Sequence, residues 1–152
     1  MKIREKCYND KEYIEIIKDI LENEEFKKME SFIQHKKNRV DHLLRVSYHS
    51  YKIIKKWKKD YKSTARAALL HDFYYADSKS MTSKERLKML FKHPKIALEN
   101  SRKITDVNRL EEDIILSHMF PIGLRFPRHI ESWIVNIVDD ISSVYEAISR
   151  KK

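Results

Sequence analysis

The chain has 152 residues, the length of one ordinary domain with a substantial core, so we expect a single domain over residues 1–152. One glycine and three prolines are too few for the many tight turns of a β-rich fold, and composition therefore favours helices. Thirty-two lysines and arginines against 23 acidic residues give a formal charge of +9. This charge suits phosphate-bearing partners, although a lysine-rich surface more often serves solubility.

The sequence carries no pattern typical of secretion or membrane insertion. The lone Cys7 has no partner for an internal disulfide. No apolar stretch approaches the roughly 20 residues of a membrane span, and the first residues lack the apolar core of a signal peptide. We therefore expect a cytoplasmic protein that does not bind a membrane.

Amphipathic helices are predicted along the first third of the chain. Apolar residues recur at helical spacing over residues 11–22 and 24–34, and again from residue 38 to residue 57. His42 lies beside the apolar stripe of the third helix. The first 34 residues are expected to pack as helices on the rest of the domain.

The second half of the chain predicts further helices between polar or proline-containing loops. They cover residues 83–91, residues 94–104, a segment capped by Asp106 that ends at Ser117 or His118, and a last helix from Pro127 to about Ser149. Nine apolar residues form a stripe at helical spacing in the last helix: Ile130, Trp133, Ile134, Ile137, Val138, Ile141, Val144, Tyr145 and Ile148. The pattern predicts a helical bundle without a substantial sheet.

A histidine and a carboxylate adjoin in the most apolar of the predicted helices, over residues 64–75. Ser63 or Thr64 is its expected N-cap, and a small apolar run leads directly into His71 and Asp72. Burying these two groups together is unfavourable unless each has a strong partner, which a bound cation supplies. A purely structural pair of histidine and carboxylate is the alternative for the dipeptide alone.

Other candidate ligands lie on separate predicted helices. His42, His93, His118 and Asp139 each occur on, or at the end of, a different helix. Helical folds build metal sites from side chains that separate helices deliver into the middle of a bundle. The order of these residues therefore favours a metal centre more than the dipeptide does.

The order His…His-Asp…Asp resembles the signature of the HD superfamily of phosphohydrolases, over roughly residues 35–146. The local segments are similar to the successive blocks of small stand-alone bacterial HD proteins: DHLLRVS, AALLHDFYYAD, HPKIALEN, IILSHMFP and IVNIVDDISSVYE. The resemblance implies an all-α, single-domain orthogonal helical bundle. It also implies that four residues bind one divalent metal: His42, His71, Asp72 and Asp139.

The resemblance leaves a second ion open. In branches of the family with two metals, Asp72 would bridge them and His93 and His118 would bind the second ion. The alternatives are that His93 only starts a helix before Pro94 and that His118 only ends one.

The implied chemistry is hydrolysis of a phosphate mono- or diester by a water that the metal makes acidic. Asp72 is the expected catalytic residue, because it would bind the ion and orient that water. Histidine and aspartate ligands suit Mn, Fe, Co, Ni or Zn, and the sequence does not choose among these metals. The expected partner is a small phosphorylated metabolite or a nucleotide.

Two local features depart from the family pattern or leave it ambiguous. Phe73, Tyr74 and Tyr75 follow the dipeptide where many nucleotide-degrading members have Gly-Lys or a nearby glutamate, and Asp77 is a candidate replacement for that carboxylate. On a helical wheel Asp140 lies nearer the apolar stripe than Asp139 does, but the family register favours Asp139.

Two arginines are candidates for binding a substrate phosphate. Arg45 lies one helical turn after His42, and Arg125 lies in the proline-containing loop after His118. Pairing with a carboxylate is the alternative for Arg45, and solvated loop charge is the alternative for Arg125.

A non-catalytic basic helical module that binds nucleic acid or a nucleotide is the alternative to the enzyme, and the charge of +9 motivates it. That module predicts salt-dependent binding of nucleic acid that does not require His71. The enzyme predicts bound metal that is lost on His71→Ala.

Overall fold

Eight α-helices make up most of the described part of the chain in this computed structural model, which describes residues 2–31, 33–34, 37–75 and 80–150. Their bounds are Ile3–Asn9 (α1), Lys11–Leu21 (α2), Glu24–Lys27 (α3), Arg39–Lys56 (α4), Tyr61–Leu70 (α5), Ser83–Ile104 (α6), Arg109–Ser117 (α7) and Ile130–Arg150 (α8). Two strands of two residues each, Ile33–Gln34 (β1) and Lys37–Asn38 (β2), pair antiparallel, with Ile33 opposite Asn38. The fold is all-α, as the sequence predicts.

The N-terminal segment differs from the prediction at both of its ends. Helix α1 was not predicted, because only Ile3 and Cys7 are buried in it and two positions are too few to establish a period. The helix predicted over residues 24–34 ends at Lys27, and a 3-10 turn over Lys28–Ser31 follows it. Strands β1 and β2 follow, and Asn38, the last residue of β2, is the N-cap of α4.

Helix α5 is the centre of the bundle and contacts α2, α4, α6, α7 and α8. Its small, fully buried alanines let these neighbours approach closely: Ala65, Ala67 and Ala68. Asp60, rather than the expected Ser63 or Thr64, is the N-cap and accepts a hydrogen bond from the backbone of Ser63. The helix ends at Leu70, before the predicted end at residue 75, so the next two residues lie in a turn at the middle of the bundle.

The two helices predicted over residues 83–91 and 94–104 are one continuous helix, α6. Pro94 lies inside it, so His93 is an interior residue and does not open a helix. A proline usually interrupts a helix because it lacks one N–H, but here the chain continues as helix on both sides of it. Helix α7 starts after Asn108, which forms a capping box with Glu111, and not after Asp106.

Helix α8 begins at Ile130, three residues after the expected start, and its apolar stripe mostly faces outward. Six members of the stripe are between 43% and 62% exposed: Ile130, Ile137, Ile141, Val144, Tyr145 and Ile148. The buried face is mainly polar and contains Ser132, Val135, Asn136, Asp139, Ser142 and Glu146. Neither α8 nor any other helix in the described ranges is both long and apolar enough to cross a membrane.

Lys58 closes α4 in a left-handed conformation, with φ of 57°. The N–H of Lys58 bonds to the carbonyl of Lys55, and that of Lys59 bonds to the carbonyl of Ile54, which is the pattern of a Schellman cap. Glycine is preferred at this position because a Cβ atom is strained at positive φ.

We expect Lys58→Gly to raise the free energy of unfolding by about 1 kcal/mol, since glycine removes this strain. Lys59→Gly, one residue later, is the matched control and is expected to give no gain. Urea denaturation followed by circular dichroism measures both. A Lys58→Gly protein no more stable than the wild type would contradict the expectation.

Candidate metal centre

Six side chains converge where the central helices meet. Helix α4 contributes His42, the turn after α5 contributes His71 and Asp72, α6 contributes His93, the end of α7 contributes His118, and α8 contributes Asp139. These are the six residues for which the sequence predicted a ligand role. His71, His93, His118 and Asp139 are buried, whereas His42 and Asp72 retain some exposure.

One half of the cluster joins α4, α5 and α8. His42 Nε2 lies 3.0 Å from Asp139 Oδ1, and His71 Nε2 lies 3.5 Å from the same oxygen. His71 Nε2 also lies 3.4 Å from Asp72 Oδ2. Ligand atoms of His42, His71 and Asp72 all fall within 4.8 Å of one another, which is close enough to share one ion.

The other half of the cluster joins the turn after α5 to α6 and α7. His93 Nε2 and His118 Nε2 each lie 3.2 Å from Asp72 Oδ1, and the two nitrogens are 3.0 Å apart. Asp72 therefore stands between the two halves, with Oδ2 towards His71 and Oδ1 towards His93 and His118. Its position is that of a carboxylate able to bridge two ions.

Each of the four imidazoles of the cluster is held by its Nδ1 atom, three of them by backbone carbonyls and His42 by the carboxylate of Glu146. His71 bonds to the carbonyl of Ala68 at 2.5 Å, His93 to that of Met89 at 3.0 Å, and His118 to that of Ile115 at 2.7 Å. A carbonyl can only accept, so Nδ1 carries the hydrogen in these three rings. The Nε2 atoms are left for the centre of the cluster, which is the orientation that metal-binding histidines require.

The cluster suits a cation. His71 Nε2 and Asp72 Oδ1 are buried and make no hydrogen bond within the described part of the chain. With both Nδ1 atoms protonated, the Nε2 atoms of His93 and His118 direct their lone pairs at each other across 3.0 Å when the rings are neutral. A bound cation would provide a partner for these atoms. Nitrogen and oxygen donors in this number fit a first-row divalent metal.

Neighbouring carboxylates favour the protonated form of two imidazoles in this centre. Burial opposes charge on His42, but Asp139 and Glu146 raise the pKa of the imidazole to about 9. Burial likewise opposes charge on His71, and the carboxylates of Asp72 and Asp139 raise its pKa well above the usual value. In turn the imidazoles lower the pKa values of Asp72 and Asp139 despite the burial of both carboxyls.

Glu146 is a functional residue that the sequence reasoning missed. It is buried on α8, and its carboxylate accepts hydrogen bonds from His42 Nδ1 at 3.0 and 3.1 Å and from the guanidinium of Arg45. It thus orients His42 Nε2 towards Asp139. The spacing was the available signal, because Glu146 follows Asp139 by two helical turns and must share its face.

A cavity of about 290 Å³ opens onto the cluster. Its walls outside the six residues are Asn38, Arg39, Tyr74, Leu90, Met119, Ser143, Glu146 and Arg150. The buried Arg39 donates to the carbonyl of Tyr74 at 2.6 Å, and its guanidinium lies 4.1 Å from the centre of the Tyr74 ring. The ring centre of Tyr74 lies 5.0 Å from that of His93, so Arg39 and Tyr74 brace a candidate ligand.

The two neighbouring aspartates of α8 have different environments. Asp139 is 8% exposed and lies in the cluster, whereas Asp140 is exposed and lies outside it. The family register therefore identified the residue that reaches the centre, and the helical wheel did not. The helical-wheel argument took the apolar stripe as the buried face of α8, but in the structure most of that stripe is exposed and the mainly polar face is buried.

The structure does not bring the two candidate substrate arginines to the cavity. Arg45 pairs with the carboxylate of Glu146, which is the alternative given for it in the sequence analysis. It lines a different groove, between α1, α4 and α8. Arg125 lies 3.5 Å from the buried Asp113, which also accepts bonds from the backbone of Arg128 and from Ser132. Arg125 therefore helps to hold the loop before α8. The candidate Asp77 lies outside the described residues.

Comparison with known proteins identifies one family. The model of the HD domain matches residues 39–143, which include all six residues of the cluster. Neither the curated proteins nor the solved structures contain a match to this chain.

We expect Glu146→Ala to weaken divalent metal binding about 10- to 100-fold, because His42 loses the acceptor that orients it. Glu146→Gln keeps a hydrogen-bond acceptor without the charge, and its metal affinity should lie between those of the wild type and Glu146→Ala. Competition with a chromophoric chelator measures the affinities. The matched control is Glu112→Ala, which removes a surface partner of Arg102 and should leave metal binding unchanged. An unaltered affinity in Glu146→Ala would contradict the assignment.

Metal binding at neutral pH is expected to release protons from His42 and His71. Despite the burial of both rings, Asp139 and Glu146 raise the pKa of His42 to about 9, and Asp72 and Asp139 raise the pKa of His71 well above its usual value, so both rings are protonated at neutral pH. A metal binds only the neutral imidazole, so affinity should rise with pH up to that range. Calorimetry in two buffers of different ionisation enthalpy measures the released protons. Equal heats in both buffers would contradict this expectation.

Proposed function

Because the chain belongs to the HD-domain family, a superfamily of metal-dependent phosphohydrolases, we propose that it hydrolyses a phosphate mono- or diester of a small, nucleotide-like molecule. The observation that carries the proposal is the arrangement of the four imidazoles. Each is fixed through Nδ1 and turns Nε2 towards Asp72 or Asp139. Few structural roles need four histidines oriented in this way, whereas a metal site does.

His42, His71, Asp72 and Asp139 would hold one divalent metal, and His93 and His118 would hold a second one together with Asp72. A bound metal would supply Lewis acidity to the phosphoryl oxygens and would make a coordinated water more acidic. The donor set suits Mn, Fe, Co, Ni or Zn, and the protein's own contribution is the rigid placement of the donors.

Asp72 is the proposed catalytic residue because it lies between the two halves of the cluster and remains accessible. Its side chain is 22% exposed and lines the cavity. A carboxylate oxygen there can accept a hydrogen bond from the attacking water and fix its direction relative to the phosphorus atom. Glu146 and Arg45 hold His42, and Arg39 and Tyr74 hold His93, so the centre need not rearrange around the substrate.

The cavity favours a small phosphate ester. Its volume of about 290 Å³ lies near the lower end of ligand pockets. Arg39 and Arg150 place positive charge on its walls. The ring of Tyr74 is already covered by the guanidinium of Arg39 and the ring of His93, so it offers little surface for stacking a base. We therefore propose that the phosphate and its nearest substituents enter the cavity, while the rest of the substrate remains outside.

The test combines metal analysis with an activity panel. The purified protein is analysed for metal and is then assayed on a phosphomonoester, a phosphodiester and several nucleotides with each divalent metal. Asp72→Asn and His71→Asn should lower the rate at least about 100-fold, because each removes a donor from the centre. His49→Ala, a histidine on α4 that lines the other groove, is the matched control and should retain the activity.

Two further variants separate one ion from two. Loss of metal and activity in both His93→Ala and His118→Ala supports the second site, whereas full retention leaves the four-ligand, one-metal site alone. If no ester is cleaved and nucleic acid binds with a steep salt dependence that His71→Asn does not alter, the proposal is wrong and the basic binding module is favoured.

A further inference from the structure

The outward face of α8 carries a regular heptad pattern. Aliphatic residues recur at alternating intervals of four and three: Ile130, Ile134, Ile137, Ile141, Val144 and Ile148. We call these six residues the α8 seam. All six are β-branched, and this spacing is the one with which two helices interdigitate along a shared line.

The α8 seam faces away from its own domain except at Ile134, which is partly buried against the core. Ile137 is 47% exposed, Val144 is 59% exposed and Ile141 is 62% exposed, and the remaining members are at most partly buried. A surface helix of a monomer normally turns such a stripe inward. Here the opposite face is the one that packs, because it carries Asp139 and Glu146 into the metal centre.

Charge is distributed unevenly along the chain in a way that suits an interface. Residues 130–149 contain no lysine or arginine, although the whole chain contains 32. Two copies of a protein with a charge of +9 repel each other, and a contact surface without basic residues reduces that repulsion where the copies meet. Depletion of lysine and other charged residues is also typical of the core of protein interfaces.

The apolar surface continues from α8 onto the preceding loop. Phe126 contacts Trp133 of α8, with ring centres 5.3 Å apart. Ile122 and Phe126 are each 58% exposed, and Leu124 is 89% exposed. This loop extends the apolar surface past the N-terminal end of the α8 seam.

The exposed area is close to what a stable dimer needs. Nine apolar side chains on α8 and the loop are at least 43% exposed, and at on the order of 100 Å² each they provide roughly 900 Å². A standard interface buries about 800 Å² on each partner, whereas the largest apolar patch of a typical monomer is about 300–600 Å².

We propose that the α8 seam is the interface of a homodimer, in which the α8 helices of two copies of this chain pack side by side across a two-fold axis. A two-fold axis needs a surface that complements itself, and a straight row of aliphatic side chains on a helix meets this requirement. The pairing holds α8 from outside while the polar contacts of Asp139 and Glu146 hold it from inside.

The test is the mass of the full chain in solution, measured by light scattering during size-exclusion chromatography and by sedimentation equilibrium. We expect the wild type at twice 18.4 kDa. Ile137→Glu and Val144→Glu, which place a charge in the middle of the α8 seam, should each shift the mass to 18.4 kDa. Leu87→Glu is the matched control, because Leu87 is 56% exposed on α6, and it should remain a dimer.

Circular dichroism of each variant separates loss of pairing from loss of folding, and the milder Ile137→Ser provides a second variant should either glutamate variant unfold. A wild type that stays monomeric across the micromolar range overturns the proposal. A dimer that persists in folded Ile137→Glu, Val144→Glu and Ile137→Ser overturns it as well. Neither outcome depends on metal or on hydrolysis, so this test is independent of the proposed function.

Discussion

Six ionisable side chains share the centre of a small helical bundle, and the need to balance their charges there constrains much of the remaining structure. An isolated charge in such a place is strongly unfavourable. The cluster contains charges of both signs: two carboxylates whose pKa values are lowered, and two imidazoles, those of His42 and His71, whose pKa values are raised. Opposite charges at 3.0 to 3.5 Å offset the loss of water around each of them. The same donors could hold a divalent cation, which would take the place of the imidazole protons.

The backbone supplies much of the rigidity of this centre. His71 and His118 occupy equivalent places, each as the C-cap of a short helix. The last carbonyls of a helix have no partner within the helix, and each of these histidines donates Nδ1–H to the carbonyl three residues before it. This hydrogen bond fixes the direction of Nε2, and at the end of α5 the carbonyl of Ala68 also accepts the backbone N–H of His71. His42, in the middle of α4, is held instead by the carboxylate of Glu146, which Arg45 supports.

The sequence predicted the six residues of the centre and the all-α fold because both depend on local patterns: helical spacing, and the order of histidines and aspartates in blocks that resemble a family. It was less informative where the outcome depends on packing between distant segments. Nothing local distinguishes Pro94 inside α6 from a proline that starts a new helix. Glu146 acquires its role only when α8 lies against α4, and Arg39 acquires its role only through Tyr74, 35 positions away. The pairings of the two candidate arginines depend on packing as well, since Arg45 and Arg125 each lie beside a carboxylate from a distant part of the chain.

Helix α8 shows why hydrophobic periodicity alone misidentified a buried face. Periodicity reports which side chains avoid water, but it does not state whether the same chain or another one covers them. The inner face of α8 docks with few apolar contacts, chiefly through Val135 and Val138, and relies on polar ones. Asn136 donates to the carbonyls of Ser117, His118 and Phe120, and Ser132 donates to Asp113. Hydrogen bonds of this kind give direction but contribute only about 1 kcal/mol each to stability. A helix that must present Asp139 and Glu146 to a charged centre cannot also present an aliphatic face there. Its aliphatic residues therefore lie on the outside, where burial against a second helix, as in the proposed dimer, would add the stabilisation that the inner face lacks.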